Sequence, residues 1–326
     1  MKSAAIHIHS HGDPSVLQSV QVEVPPPAPG EVRIRQSAIG LNFADIYQRK
    51  GAHGPHAQTS FPITLGTQGA GVVESVGDGV SAWRAGQSVA YFHPGAYQAV
   101  RNVPAARVLA LPEGISEELA GANLLRGLTA EYLLRRLYVV QPGDAVLVHA
   151  AAGGMGVLLS QWARALGATV IGTVGSAQKA EVAQENGCHH VIDYRREDFV
   201  ARTLDLTDGQ GVAVVYDAVG KDVFVSSLRC LRTLGVAINY GTASGDVEGL
   251  DLQLLHAKSL SVCRPTLRSF IATQADLQRS ADAFFAAVAA GHLRLAVGSR
   301  YALADVQQAH RDLEGRATMG APVLLP

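Results

Sequence analysis

Gly143-Asp144-Ala145-Val146-Leu147-Val148-His149-Ala150-Ala151-Ala152-Gly153-Gly154-Met155-Gly156 decides the fold, because it joins an apolar, β-branched run to a glycine cluster that opens a helical pattern through Gln161 and Arg164. Strand, tight glycine turn and helix in that order form the phosphate-cradling unit of a doubly wound sheet. Against the G-x-G-x-x-G pattern the three positions are Ala151, Gly153 and Gly156, so alanine replaces the first glycine. Gly153 lets backbone approach a pyrophosphate, Gly156 lets the helix pack closely on the strand, and the helix N-terminus presents free N–H groups to the anion.

About twenty residues further on, NAD-using enzymes carry an acid for the ribose 2′-hydroxyl. Here the segment is Gly175-Ser176-Ala177-Gln178-Lys179. An acid would repel a 2′-phosphate, whereas Ser176 can donate a hydrogen bond and Lys179 supplies positive charge. Tyr194-Arg195-Arg196, at the end of the third expected strand, adds donors. The expectation is NADPH rather than NADH. The bland reading makes Lys179 and the arginines a solvated face.

Outward from the loop, the rhythm of strand, turn and helix repeats. Strands are expected at 145–149, 169–173, 190–193, 212–217, 235–239 and 259–262, with helices after Gly153, Ala177, Glu197, Asp222 and Leu250. Such alternation makes an α/β fold with a parallel sheet covered by helices on both faces. Before it, residues 1–115 read as short strands at 4–9, 20–24, 31–39, 70–76, 88–91 and 97–101. One short helix interrupts them, with Asn42 as N-cap, Asp45 in the first turn and Gly51 just past the end. A long helix starts at Ser116. After Arg264-Pro265, helices at 274–290 and 304–313 and a last apolar segment do not extend the βα series, so this tail is assigned back to the first domain.

The length of 326 residues suits two domains with a cleft between them. The net charge of -1 and the dispersed Lys and Arg lack the basic stripe of a nucleic-acid binder, which leaves a small-molecule partner. No window is long and apolar enough for a membrane span. Cys188, Cys230 and Cys263 have neither disulfide nor CxxC spacing and read as small core residues. With no apolar leader segment, a cytoplasmic protein is expected.

With those residues in view, the chain resembles the medium-chain dehydrogenase/reductase superfamily, specifically the quinone oxidoreductases related to zeta-crystallin. The likeness spans essentially the whole chain. It rests on Gly143 through Arg164, on Gly40-Leu41-Asn42-Phe43-Ala44-Asp45-Ile46-Tyr47, on Leu125-Arg126-Gly127-Leu128-Thr129, on Gly172 to Lys179 and on Arg316-Ala317-Thr318. The resemblance implies a Rossmann doubly wound sheet inserted into a GroES-like, β-rich catalytic domain, with boundaries at 1–123, 124–266 and 267–326. It implies NADPH in the cleft and a homodimer formed by edge strands of the cofactor domains. It also carries cofactor contact onto Asn42, Thr129, Gly153, Gly154, Met155, Gly156, Ser176, Lys179, Tyr194, Val219, Tyr240 and Arg316.

Zinc-dependent relatives hold their catalytic metal with a cysteine, a His-Glu pair and a further cysteine or acid. Asn42 stands where the first cysteine would be, Gly66-Thr67-Gln68 replaces Gly-His-Glu, and no cysteine precedes Cys188. No metal site is expected. Without a Lewis acid, the remaining chemistry is reduction of an already electrophilic acceptor, a quinone or an α,β-unsaturated carbonyl. Tyr47 is the candidate donor to the acceptor oxygen, and Asn42 the candidate to position the nicotinamide ribose or carboxamide. Relatives commonly carry Glu at Gln68, so its neutral amide is a departure. His53 and His56 read as exposed loop residues. A structural or RNA-binding, crystallin-like protein is the reading from another class.

Overall fold

The computed structural model describes residues 1–52, 60–315, 317–318 and 320–326. Met1–Leu125 packs with Leu295–Pro326 as one unit, and Arg126–Arg294 forms the other.

The first unit is built from β1 (Lys2–Ile8), β2 (Gln18–Glu23), β3 (Glu31–Gly40), α1 (Phe43–Lys50), β4 (Ile63–Thr64), β5 (Gln68–Val76), β6 (Ser88–Phe92), β7 (Val100–Pro104) and β8 (Val108–Ala110). Strand β3 alternates as expected for a sheet with one covered face: Val32, Ile34, Gln36 and Ala38 are buried, while Arg35 and Ser37 are exposed. It pairs antiparallel with both β5 and β7. Ile34, Val73, Val89, Tyr91, Tyr97 and Val103 share one apolar core. The expected strand at 97–101 is shifted: Tyr97 sits before the strand, and its N–H bonds to Leu65 O.

Helix α2 (Glu117–Tyr132) contains the boundary between the units. Six parallel strands follow: β9 (Ala145–Val148), β10 (Thr169–Val174), β11 (His190–Asp193), β12 (Val212–Asp217), β13 (Leu231–Asn239) and β14 (Ser261–Cys263). Their spatial order is β11-β10-β9-β12-β13-β14. The strand first in sequence is thus third in space, and the winding reverses between β9 and β12. That reversal is the switch point at which doubly wound sheets bind ligands. Leu147, Ile171, Ile192, Val215 and Ala237 place one face of the sheet in a common core. The connecting helices include α3 (Gly154–Ala165), α4 (Ala177–Glu185) and α5 (Phe199–Asp205). The helices expected after Asp222 and Leu250 are single turns, Phe224–Ser227 and Gln253–His256.

The chain returns to the first unit at Leu295, later than the expected 267, because the helix α6 (Gln274–Ala289) belongs to the second unit. Ser280 Oγ on α6 donates to the buried Glu131 carboxylate (2.5 Å), and a Cβ on Gly127 would lie 2.4 Å from the Phe284 ring. The closing elements are β15 (Arg300–Ala302), α7 (Val306–Glu314) and β16 (Val323–Leu325); β16 pairs with β3.

Candidate active site

Two glycines of the loop after β9 answer different demands. A Cβ on Gly156 would lie 2.3 Å from Ala150 O and 2.6 Å from Ala151 Cα, so the protein's own backbone excludes any side chain there. On Gly153 it would meet only Ala150 O, at 3.2 Å. Gly156 is therefore the packing glycine, whereas a Cβ on Gly153 would press on Ala150 O and on no other described residue within 4 Å. Gly153 is the N-cap of α3, in extended conformation, and its N–H bonds to Ala150 O (2.9 Å). The left-handed turn falls on Ala150, at φ 53°. Ala151, at the first-glycine position, is fully buried, and its methyl occupies the space left by Gly172 on β10, where a Cβ would come within 2.7 Å of it. Gly172 thus accommodates the substitution at Ala151.

His149 braces this loop. The Ser227 hydroxyl donates to Val223 O (2.7 Å) and so accepts from His149 Nε2 (2.8 Å), leaving Nδ1 to accept the Thr173 hydroxyl (2.9 Å). Burial pushes the imidazole down to about 4, which keeps it neutral in this bonding pattern.

The residues expected to read the 2′-phosphate gather at the ends of β10 and β11. Ser176 is the N-cap of α4, and its Oγ accepts the Lys179 N–H (3.3 Å), which leaves its own O–H to donate outward. Tyr194 stands beside it: a Cβ on Gly175 would lie 2.4 Å from the Tyr194 Oη. No acid occupies 175–179.

Beyond the switch point, Asp217 at the end of β12 organises two further expected contacts. Its carboxylate accepts the N–H groups of Val219 (2.7 Å) and Gly220 and the Asn239 amide (2.9 Å), while its carbonyl accepts the Tyr240 N–H (2.8 Å). Burial raises Asp217 above the ordinary carboxylate range, with these bonds opposing the shift. Tyr194, Ser176 with Lys179, Gly153 to Gly156, Val219 and Tyr240 follow the carboxyl ends of five adjacent strands, β11, β10, β9, β12 and β13. Thr129 lies buried on α2 within the same unit. Arg316, His53 and His56 lie outside the described residues.

In the first unit, Asn42 caps α1 with extended backbone, and Tyr47 follows on the same helix, half-buried, its ring 6.2 Å from that of Phe43. Asn42 is 5% exposed, and its Nδ2 has no hydrogen-bond partner among the described residues. Gln68 is committed to α2: Oε1 accepts the Leu125 N–H and Nε2 donates to Ala122 O (3.5 Å). A carboxylate could not make the second bond, so the neutral amide has a structural task of its own. The donor set does not fit zinc. Asn42 and Thr67 offer neutral oxygens, Gln68 is occupied, and among the described residues no group of three or more His, Cys, Asp or Glu converges.

Comparison with known proteins identifies the family. Residues 28–141 match the alcohol dehydrogenase GroES-like domain, and residues 154–286 match the zinc-binding dehydrogenase family. The chain is 46% identical to the quinone oxidoreductase of Salmonella typhimurium, over 98% of its own length and 99% of that protein's. The chain belongs to the quinone oxidoreductase family.

A crystal structure of Escherichia coli quinone oxidoreductase complexed with NADPH shares the fold with a TM-score of 0.94 at 44% identity, over 99% of this chain and 100% of that one. The chain is also 42% identical to the 2-haloacrylate reductase of a Burkholderia species, over 100% of this chain and 99% of that protein. Within this quinone oxidoreductase fold, sequence reasoning missed His149, Gly172 and Asp217. Only Asp217 left a signal, as an acid closing the apolar run 212–216 just before a glycine turn.

Proposed function

We propose that this chain transfers reducing equivalents from NADPH to quinones without zinc. One observation carries the reading: Ser176, with the Lys179 N–H on its Oγ, caps the helix after β10, and Tyr194 follows the adjacent β11, where an acid would serve NADH, beside the glycine loop of Gly153 to Gly156. The α3 N-terminus and its free N–H groups bind the pyrophosphate. The Ser176 hydroxyl, the Lys179 ammonium and the Tyr194 phenol bind the 2′-phosphate. Val219, Tyr240 and Thr129 line the nicotinamide half.

Bound NADPH supplies a hydride at its nicotinamide ring. The chain's own residues position and polarise. The free Nδ2 of Asn42 donates to the nicotinamide ribose or carboxamide, and Tyr47 donates its phenolic hydrogen to the acceptor oxygen as charge grows on it. A quinone is electrophilic enough to need no metal, which suits a site whose donors do not fit zinc. The same arrangement serves an activated carbon-carbon double bond, and the likeness to a 2-haloacrylate reductase favours that second reading.

The assembly we propose is a homodimer joined through β14, which pairs only with β13 among the described residues. Leu252 and Leu254, in the segment leading to it, are exposed apolar side chains of the kind an interface covers. Three unbridged cysteines suit the cytoplasm, and no described helix is long and apolar enough to cross a membrane. The deciding experiment follows nucleotide oxidation with a panel of quinones and enones. Quinone-dependent NADPH oxidation is expected; turnover of enones alone would replace the first reading by the second, and inactivity with both would remove the enzymatic claim.

A further inference from the structure

Beneath the N-cap of α1 lies a chain of hydrogen bonds that the reaction has not used. Arg49, on the last turn of α1, is fully buried. Its Nε donates to Gly12 O (3.0 Å), one terminal nitrogen to Glu314 Oε2 (2.8 Å) and the other to His310 Nδ1 (3.1 Å). A guanidinium has no acceptor, so Nδ1 must accept, and a neutral imidazole then carries its hydrogen on Nε2. Burial, reinforced by the Arg49 charge, pushes His310 down to about 3 and keeps it neutral. Nε2–H therefore donates to the Tyr97 oxygen (3.0 Å), and Tyr97 gives its own hydrogen to Asp45 Oδ2 (3.2 Å). Burial and the Asp45 charge hold the Tyr97 phenol protonated. The same Asp45 oxygen accepts the backbone N–H of Asn42 (2.8 Å). Each bond fixes the direction of the next from the Arg49 cation to the Asp45 carboxylate, where the Asn42 N–H, donating from the residue that caps α1, meets the same oxygen.

We infer that Arg49, His310 and Tyr97 are positioning residues for the reaction: their bonds form a relay that runs one way onto the Asp45 carboxylate, fixes it where it accepts the Asn42 amide N–H, and so aims the Asn42 side chain at the cofactor. This deepens the proposed function and rests on its reading of Asn42. Stability alone is a poor explanation for the relay, because a buried charge loses about as much in desolvation as it gains from its partners, and an apolar cluster of the same volume holds a core equally well. Directed bonds add orientation, which an apolar cluster lacks. The orientation ends at a backbone whose side chain keeps a buried, unpartnered Nδ2.

The test has two parts. Long-range ¹H–¹⁵N NMR of the wild-type protein, with the His310 signals assigned by their loss in His310→Gln, is expected to show hydrogen on Nε2 and none on Nδ1 near neutral pH. The opposite tautomer or an imidazolium overturns the relay. Tyr97→Phe removes only the hydroxyl. Turnover per bound NADPH should fall ~10-fold, as misplacement of a reacting group does, while the NADPH dissociation constant measured by fluorescence changes by less than ~3-fold. Gln at 310 can accept from Arg49 and donate to Tyr97, so His310→Gln should keep near wild-type turnover, whereas His310→Leu should match Tyr97→Phe. If Tyr97→Phe does not fold, the two His310 variants decide the matter. Unchanged turnover per bound NADPH in Tyr97→Phe or His310→Leu overturns the inference, whatever happens to melting temperature. Failure of the wild-type protein to bind NADPH would instead sink the proposed function, and the tautomer measurement would still decide the relay.

Discussion

The glycine loop after β9 and the N-cap of α1, the two places where we propose that backbone meets the cofactor, are held in shape by opposite means. The loop works by omission: Gly156 has no side chain because Ala150 O and Ala151 Cα lie where one would be, and Gly172 is bare so that Ala151 need not be. The cap works by accumulation, with Asp45, Tyr97, His310 and Arg49 stacked in one chain of bonds behind Asn42. The first is unforgiving to any added atom, and the second to any lost polar group.

The sharpest way to break that contrast is Gly156→Ala. With a Cβ 2.3 Å from a carbonyl oxygen, α3 must shift, and NADPH affinity should drop ~100-fold or more with a melting temperature several degrees lower. A calorimetric titration showing near wild-type affinity would mean the loop is more compliant than its packing implies. On the cap side, Tyr47→Phe removes the proposed donor to the acceptor oxygen, and kcat with a quinone should fall ~10- to 100-fold with the KM for NADPH nearly constant. Equal turnover removes Tyr47 from the mechanism.

Among the described residues, each unit also buries a neutral histidine, His149 at the loop and His310 at the cap, held at about 4 and about 3. The unfolded chain takes up a proton near pH 6.5 that the native state refuses, so stability is highest above that pH and falls as pH drops towards the folded values. The slope is ~1.4 kcal/mol per pH unit for each imidazole. Urea midpoints between pH 7 and 5 should show this fall in the wild-type protein and a shallower one in His149→Gln. The smallest effect is expected from Ala151→Gly, which restores the usual glycine but empties the niche over Gly172: a loss of ~1 kcal/mol in stability and no change in NADPH affinity.

The two regions also differ in how far the sequence alone discloses them. Omission is legible: Gly153, Gly156 and the acid-free 175–179 stand in one short window, and the six-strand sheet follows from their spacing. Accumulation is not. Arg49 and His310 are 261 residues apart and read separately as an ordinary helix cation and an ordinary helix histidine. The same distance problem hid the return of the chain at Leu295, since nothing near 274–289 announces that Ser280 meets Glu131, 149 residues away. Gln68 reads as a missing charge until its two bonds to α2 are seen.

The central claim is that the ends of β10 and β11 read a 2′-phosphate. Its most direct test is the ratio of NADH to NADPH dissociation constants in the wild-type protein and in Lys179→Ala. The account predicts at least ~100-fold preference for NADPH in the first and ~10-fold less in the second, the loss expected of one charge-assisted contact. Equal affinity for the two nucleotides in the wild-type protein would contradict it.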